Sequence, residues 1–294
     1  MNRKTQLTAT SALVTLLFGA SAASAAPVNL IAGDYEFKFE GYQQLSPEGA
    51  ITYEHPDRGE TPTGESTWGV VRGTSYSVDG TDEWGTIGDQ GGIYGMFSGF
   101  TPADDPVNEE RLQSTGGQLD LYYFSEAEGR SFSEIFGDDF GPDLRDGERS
   151  FGEITDGERL VSVEFKPGIL EDSESDVTLD GDTRPLEDGF DGGEAAGFAD
   201  VIDGSGIWAD QIERQTQETN LEGVWRDVRF DNRYNPDGDW DGEEGVVGAD
   251  IDDPARFSVA EAEVPNPGTL MLMGLGLLGL GGVAGAARRN RESA

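Results

Sequence analysis

The sequence predicts an all-β protein, built as an antiparallel β-sandwich or jelly-roll-like single domain with acidic loops. Three observations predict this fold. Short runs alternate apolar and polar residues with the period of two that is typical of half-buried strands. Nine Asp-Gly pairs supply residues suited to tight turns. Between the two ends of the chain, apolar residues do not recur with the 3.6-residue period of a long helix.

Four runs predict strands most clearly, and low apolar content predicts loops. The runs are Tyr35, Phe37 and Phe39; Leu119, Leu121 and Tyr123; Val161, Val163 and Phe165; and Val224, Arg226, Val228 and Phe230. Residues 209–219 predict at most one short helix. Residues 171–206 and 235–254 are dense in Asp, Glu and Gly, which predicts long acidic loops. The Asp-Gly pairs begin at Asp79, Asp146, Asp156, Asp180, Asp188, Asp191, Asp203, Asp237 and Asp241.

The N-terminus has the three parts of a secretory signal peptide, predicted for residues 1–25. Arg3 and Lys4 give the positive start, and residues 7–20 are mostly apolar. Ala23 and Ala25 form an A-x-A cleavage site. The alternative, a first transmembrane helix, is disfavoured because the apolar stretch is short and small residues follow it directly.

The C-terminus contains a second membrane-directed segment. Residues 269–287 are free of charge, and as a helix they would cover about 28 Å, close to the thickness of the hydrocarbon core. Arg288, Arg289 and Arg291 follow, and such flanks remain cytoplasmic, so the body of the protein is expected outside. Interspersed glycines weaken this helix, which favours a recognition tail over a permanent anchor.

The tail as a whole resembles the PEP-CTERM sorting signal. The resemblance rests on Pro265, Asn266 and Pro267, on the apolar span, and on the terminal arginines, in that order. It implies processing by an exosortase-like membrane protease and delivery to the cell surface or the extracellular space. The family motif has Glu where this chain has Asn266. The predicted division is therefore a signal peptide (1–25), an acidic β-rich extracellular domain (26–263) and a sorting tail (264–294).

The composition limits the partners of the extracellular domain. The chain has 58 Asp and Glu against 20 Lys and Arg, for a net charge of −38. Such a surface repels nucleic acid, which is not expected as a partner, and membrane contact is expected through the tail. The acidity fits either a halophilic protein or a cation-gathering matrix component. With no cysteine and one histidine, thiolate and His-rich zinc sites are excluded.

One acidic segment has the spacing of a calcium loop. Asp237, Asp239 and Asp241, followed by Gly242, match the D-x-D-x-D-G start in which alternate carboxylates converge on Ca²⁺. The twelfth position, which is Glu in an EF-hand, is Gly248 here, so a later aspartate would have to complete the shell. The alternative is an acidic, solvated loop without a metal.

These features predict a non-enzymatic surface or extracellular-matrix protein, structural or adhesive, associated with extracellular polysaccharide. No catalytic residue is predicted. The alternatives are a secreted carbohydrate-active enzyme using a carboxylate pair and a Ca²⁺-dependent carbohydrate-binding module. Five tryptophans could stack on sugar rings or fill a β core: Trp68, Trp84, Trp208, Trp225 and Trp240.

Overall fold

The computed structural model describes residues 30–46, 48–55, 59–82, 92–103, 111–124, 132–136, 140–182, 192–236, 240–241 and 246–260. This part of the chain forms β1 (Gly33–Leu45), β2 (Thr52–His55), β3 (Gly59–Pro62), β4 (Thr67–Val78), β5 (Thr81–Asp82), β6 (Gly92–Pro102), β7 (Arg111–Phe124), α1 (Phe132–Phe136), β8 (Arg145–Gly147), β9 (Ser150–Phe151), β10 (Glu158–Lys166), β11 (Val177–Asp182), β12 (Gly193–Val201), β13 (Gln217–Glu218), β14 (Trp225–Arg226), β15 (Val228–Pro236) and β16 (Val247–Val259). Two 3-10 turns lie at Pro142–Leu144 and Gly152–Asp156.

Eight strand positions of the described chain close into one barrel-like antiparallel sheet. The order is β1, β16, β15, β12, β10, β7, β6 and β4, and β4 pairs back onto β1. β1 pairs with β16 from Gly33 opposite Val259 to Leu45 opposite Val247. Because β4 pairs with the other edge of β1, the sheet has no free edge at this seam.

The prediction of an antiparallel all-β body is confirmed, while the arrangement of layers differs from it. A sandwich or jelly roll stacks two sheets face to face. Here one sheet curls until its first strand pairs on both sides, and the interior is enclosed by that single sheet. The short helix considered at residues 209–219 is replaced by turns, an isolated bridge at Ile212 and β13.

The prediction of long acidic loops is wrong where strands occupy the two segments, at residues 177–182, 193–201 and 247–254. β11 and β12 lie within residues 171–206, and β16 begins within residues 235–254. β11 continues the position of β10 in the sheet, since both pair with β7 and β12. β12 packs small residues, Ala195 and Ala199, against the interior, and a side chain at Gly197 would approach the ring of Phe165. A strand whose inward face is small shows little apolar periodicity.

Alternation along β4, β6 and β7 produces a separate apolar core on each face of the sheet. Val71, Ile93 and Leu121 belong to the interior core. Trp68, Val70, Tyr94, Met96 and Tyr122 point outward into a second core. Described residues near 50, at 132–136, 140–144 and 151–154, and at 240 and 246 cover that outer core with further aromatic and aliphatic side chains. One half of the outer surface is therefore covered.

A segment at residues 202–216, which we call the plug, closes one end of the sheet. Trp208 is buried, packs against Phe37 and donates its backbone N–H to the carbonyl of Leu160, 2.8 Å away. The segment is held by Asp227, a buried carboxylate that accepts 2.8 Å hydrogen bonds from the backbone N–H of Val201, the backbone N–H of Gln215 and the guanidinium of Arg214. These three donors tie the plug to the end of β12.

In the described residues, no helix is long and apolar enough to cross a membrane. The predicted span at residues 269–287 and the signal peptide lie outside the described part of the chain.

We expect Asp227→Asn to lower the free energy of unfolding by about 2–4 kcal/mol, because the change removes a buried charge and leaves N–H donors facing an amide. The matched control is Asp203→Asn. Asp203 also pairs with Arg214, at 2.9 Å, but its side chain is 98% exposed, so its loss should cost less than about 1 kcal/mol. Urea unfolding of both variants measures the difference, and equal losses would contradict the role given to Asp227.

Candidate functional site

The predicted calcium ligands are described only in part. Asp237 and Asp239 lie outside the described residues. Asp241 is described, and its Oδ1 accepts a hydrogen bond from the backbone N–H of Gly248 at 2.8 Å. Within the described ranges, no group of three or more His, Cys, Asp or Glu side chains is placed to hold a metal ion. Calcium binding at this loop stays a prediction.

The predicted processing sites also lie outside the described residues. This set comprises the cleavage-site residues Ala23 and Ala25 and the sorting-motif residues Pro265, Asn266, Pro267, Arg288, Arg289 and Arg291.

The tryptophans serve mainly as core residues. Trp68, Trp208 and Trp240 are each about 1% exposed or less. Trp225 is 43% exposed on the short strand β14, and Trp84 lies outside the described part. Core packing, rather than sugar stacking, therefore explains three of the four described tryptophans.

The interior of the closed sheet has no room for a large ligand. Aromatic and aliphatic side chains, including Phe39, Phe100 and Phe165, fill it and leave a cavity of about 50 Å³. Small-molecule sites usually occupy roughly 300–1,000 Å³. The described interior is thus a packed core, with space for a few water molecules.

Polar groups reach this cavity from one side. Gln43, Thr67 and Asn232 line it, and the hydroxyl of Thr67, which is 1% exposed, has no hydrogen-bond partner among the described residues. Tyr234 also lines the cavity and donates its hydroxyl to the carbonyl of Asp182 at 2.8 Å. Burial raises the pKa of Tyr234, so the phenol keeps its proton and remains a donor.

A depression on the covered half lies beside the β2–β3 hairpin, and we call it the hairpin groove. Its volume is about 430 Å³. Polar side chains and two glycines dominate its lining: Tyr53, Thr61, Pro62, Thr63, Glu65, Ser98, Gly99, Thr101, Gly117, Gln118, Glu148, Arg149 and Glu164. Gly117 has φ +95, and a Cβ there would lie 2.2 Å from the ring of Phe100. Glycine is therefore required where β7 bends under the groove.

A buried ion pair supports one wall of the hairpin groove. The guanidinium of Arg145, which is fully buried, donates to Glu65 Oε2 at 2.6 Å and to Glu65 Oε1 at 3.1 Å. Arg145 stacks over Trp68, with 4.5 Å to the ring centroid, and over Tyr53 at 5.2 Å. The backbone N–H of Gly99 donates to Glu65 Oε1 at 2.6 Å. These contacts fix Tyr53 and the bend at Gly99 relative to each other.

A second buried carboxylate, Asp120, supports the groove floor. Its Oδ2 accepts hydrogen bonds from Nε of Arg149, at 3.0 Å, and from a terminal nitrogen of the same guanidinium. Its Oδ1 accepts from the Ser162 hydroxyl and from Gln118 Nε2 at 3.3 Å. Burial raises the pKa of the neighbouring Tyr122, and the charge of Asp120 raises it further. Arg149 and Gln118 are thus held in fixed positions beside the groove.

A larger depression of about 780 Å³ crosses the uncovered half of the sheet, and we call it the charged face. Six acidic and four basic side chains line it: Glu36, Asp180, Asp182, Glu194, Asp231 and Asp252, with Lys38, Arg111, Arg233 and Arg256. Arg111 pairs with Asp180, and Arg256 pairs with Asp231 and, at 3.1 Å, with Glu36. Its charges largely satisfy one another.

Comparison with protein-family models, with curated proteins and with solved structures finds no significant match to this chain.

Sequence reasoning did not find the hairpin groove, because its walls come from distant segments. Tyr53, Gln118 and Arg149 lie on three of them, and only the closed sheet brings them together. The one local signal is the pair Gly116 and Gly117, which interrupts the apolar alternation of β7.

We expect Thr67→Val to leave the free energy of unfolding unchanged or to raise it slightly, because the change removes a buried hydroxyl without a partner in the described residues. The matched control is Thr178→Val. Thr178 is also buried, but its hydroxyl donates to the carbonyl of Gly116 at 2.6 Å and lies 3.2 Å from the carbonyl of Ser114, so its removal should cost about 1–2 kcal/mol. Thermal unfolding compares the two, and a loss at Thr67 as large as that at Thr178 would contradict the assignment.

Proposed function

We propose that this chain is an exported surface protein whose folded body is a non-enzymatic, structural or adhesive component of a polysaccharide-rich extracellular matrix. In this proposal a signal peptide directs export, and the PEP-CTERM-like tail tethers the body until an exosortase-like protease acts on it. The acidic surface keeps the body soluble and repels nucleic acid.

The pairing of three largely buried carboxylates with arginine, two of them beside the hairpin groove and one on the charged face, is the observation that carries the non-enzymatic part of the proposal. Glycoside hydrolysis needs one carboxyl group free to donate a proton and a second free to act as nucleophile or base. Glu65 is held by Arg145, Asp120 by Arg149, and Asp180 by Arg111. Carboxylates engaged in this way serve as supports for other side chains, which favours a binding or structural role over the secreted-enzyme alternative.

The position of the two ends of the body supports tethering by the tail. Gly33 at the start of β1 lies opposite Val259 at the end of β16, so both ends of the body leave the sheet side by side. From Val259 to the start of the apolar span at Thr269 the chain can extend about 35 Å at most. A tethered body would therefore keep its plugged end close to the membrane, with the opposite end of the sheet facing outward.

Deletion of residues 264–294 should release the body into the medium as a soluble protein, because the deletion removes both the apolar span and the arginines that hold it. The native protein should be found in the matrix fraction, should leave that fraction when the polysaccharide is digested, and should lack the tail. Cell fractionation and intact mass spectrometry of the native chain and the deletion variant measure these outcomes.

The control is Arg233→Ala, an exposed change on the charged face that should alter neither the location of the chain nor the positions at which it is cleaved. Two results would contradict the proposal. One is residues 270–294 still present on most surface-located protein, and the other is a native chain that remains with the cells after the polysaccharide is removed.

A further inference from the structure

We propose that the hairpin groove is a binding site for a neutral glycan, that is, for a chain of uncharged sugar residues. This inference rests on the proposed function and names the part of the molecule that would contact the polysaccharide. It is carried by the size of the groove, by its lining and by its balance of charge.

The size and lining of the groove suit a sugar chain. A volume of about 430 Å³ falls within the roughly 300–1,000 Å³ of typical small-molecule sites. Hydroxyl groups of Thr61 and Thr101 lie along its walls, together with the amide of Gln118 and the ring of Tyr53. Sugars present hydroxyl groups on their edges and C–H groups on their faces. A mixed lining of hydroxyls, an amide and one aromatic ring can contact both.

The key donor, Arg149, has hydrogen-bonding capacity to spare. A guanidinium carries five N–H donors. Asp120 accepts from Nε and from one terminal nitrogen, and the side chain of Arg149 is still 45% exposed. The remaining donors can therefore bond to ligand oxygens while Asp120, which is 4% exposed, holds the group in place. A donor fixed in advance loses little conformational entropy when it binds.

The charge balance of the groove selects against an anionic polymer. Glu65 is neutralised by Arg145, the charge of Arg149 by Asp120, and Glu164 lies 2.6 Å from Lys166. Glu148 adds one further carboxylate, so the groove is close to neutral and slightly negative. Around it the whole chain carries a net charge of −38. A polyuronate would be repelled on approach, whereas a neutral glycan would not.

The charged face is less suited to this ligand. Four of its six acidic side chains pair with three of its four basic ones, so a ligand would have to displace ion pairs. The groove offers donors and acceptors that are positioned without such a cost.

The test is calorimetric titration of the full-length chain, purified in mild detergent at fixed ionic strength, with six-sugar fragments of neutral glucan, mannan and galactan and with an alginate fragment of equal length. At least one neutral fragment should bind, and alginate should bind more weakly. Thr61→Trp, which places an indole in the groove, should weaken binding at least about tenfold. Gln118→Ala should weaken it about threefold or more, through the loss of one amide contact.

The matched control is Thr81→Trp, the same substitution at an exposed position next to the Asp79-Gly80 turn. It should bind like the native chain, and all three variants should remain folded at the temperature of the titration, as cooperative thermal unfolding above that temperature would show. The inference is overturned if no neutral fragment binds at millimolar concentration, if alginate binds best, or if Thr61→Trp and Thr81→Trp bind equally. Matrix association that survives both groove substitutions would overturn the groove and leave the proposed function standing. Groove-dependent binding by a chain that never enters the matrix would contradict the proposed function and leave the groove inference standing.

Discussion

The pairing of β1 with two partners determines the rest of the structure. One edge of β1 pairs with β16 over its whole length, and the other edge pairs with β4. This double pairing closes the sheet, so every inward side chain of the eight strand positions faces one enclosed core. It also brings the start of the body next to its end. A strand that left either partner would expose two unpaired edges and open the aromatic interior to solvent.

Closure explains why the two halves of the outer surface differ. On β4, β6 and β7, apolar side chains point both into the interior and to the outside of the sheet. The connecting segments pack over the outward side chains and bury them in the second core. On β1, β16, β15 and β12 many outward positions are charged, among them Glu36, Arg256 and Asp231, and these line the charged face. The hairpin groove lies on the covered half, where connecting segments meet the strands at a glycine bend. Its position follows from the packing of the second core, with Arg145 and Asp120 as buried supports.

The sequence predicted the strands that show strong alternation. β1, β7 and β10 contain the runs around Phe37, Leu121 and Val163, and β15 contains Val228 and Phe230, although the chain bends at Asp227 where a continuous strand was expected. The turn predicted at Asp79 and Gly80 is confirmed, since both residues adopt positive φ between β4 and β5.

Other features depended on contacts that no local pattern encodes. Asp180 and Gly181 were expected in a turn, but they lie inside β11, because pairing with β7 and β12 outweighs the local preference. Sheet closure depends on register between strands far apart in the chain, so alternation alone could not separate a closed sheet from a sandwich. The groove and its arginine pairs arise only after closure, and composition gave no sign of Arg145 as a buried residue.

The most direct test of this account is residue-resolved hydrogen exchange of the backbone amides in the middle of β1, at residues 41–44. Successive amides of a strand point to opposite sides, so a strand paired on both edges protects all of them. The closed sheet predicts uniformly slow exchange at these four positions, matching the slow amides in the middle of β16. Alternating slow and fast exchange along β1 would show a free edge and would contradict closure.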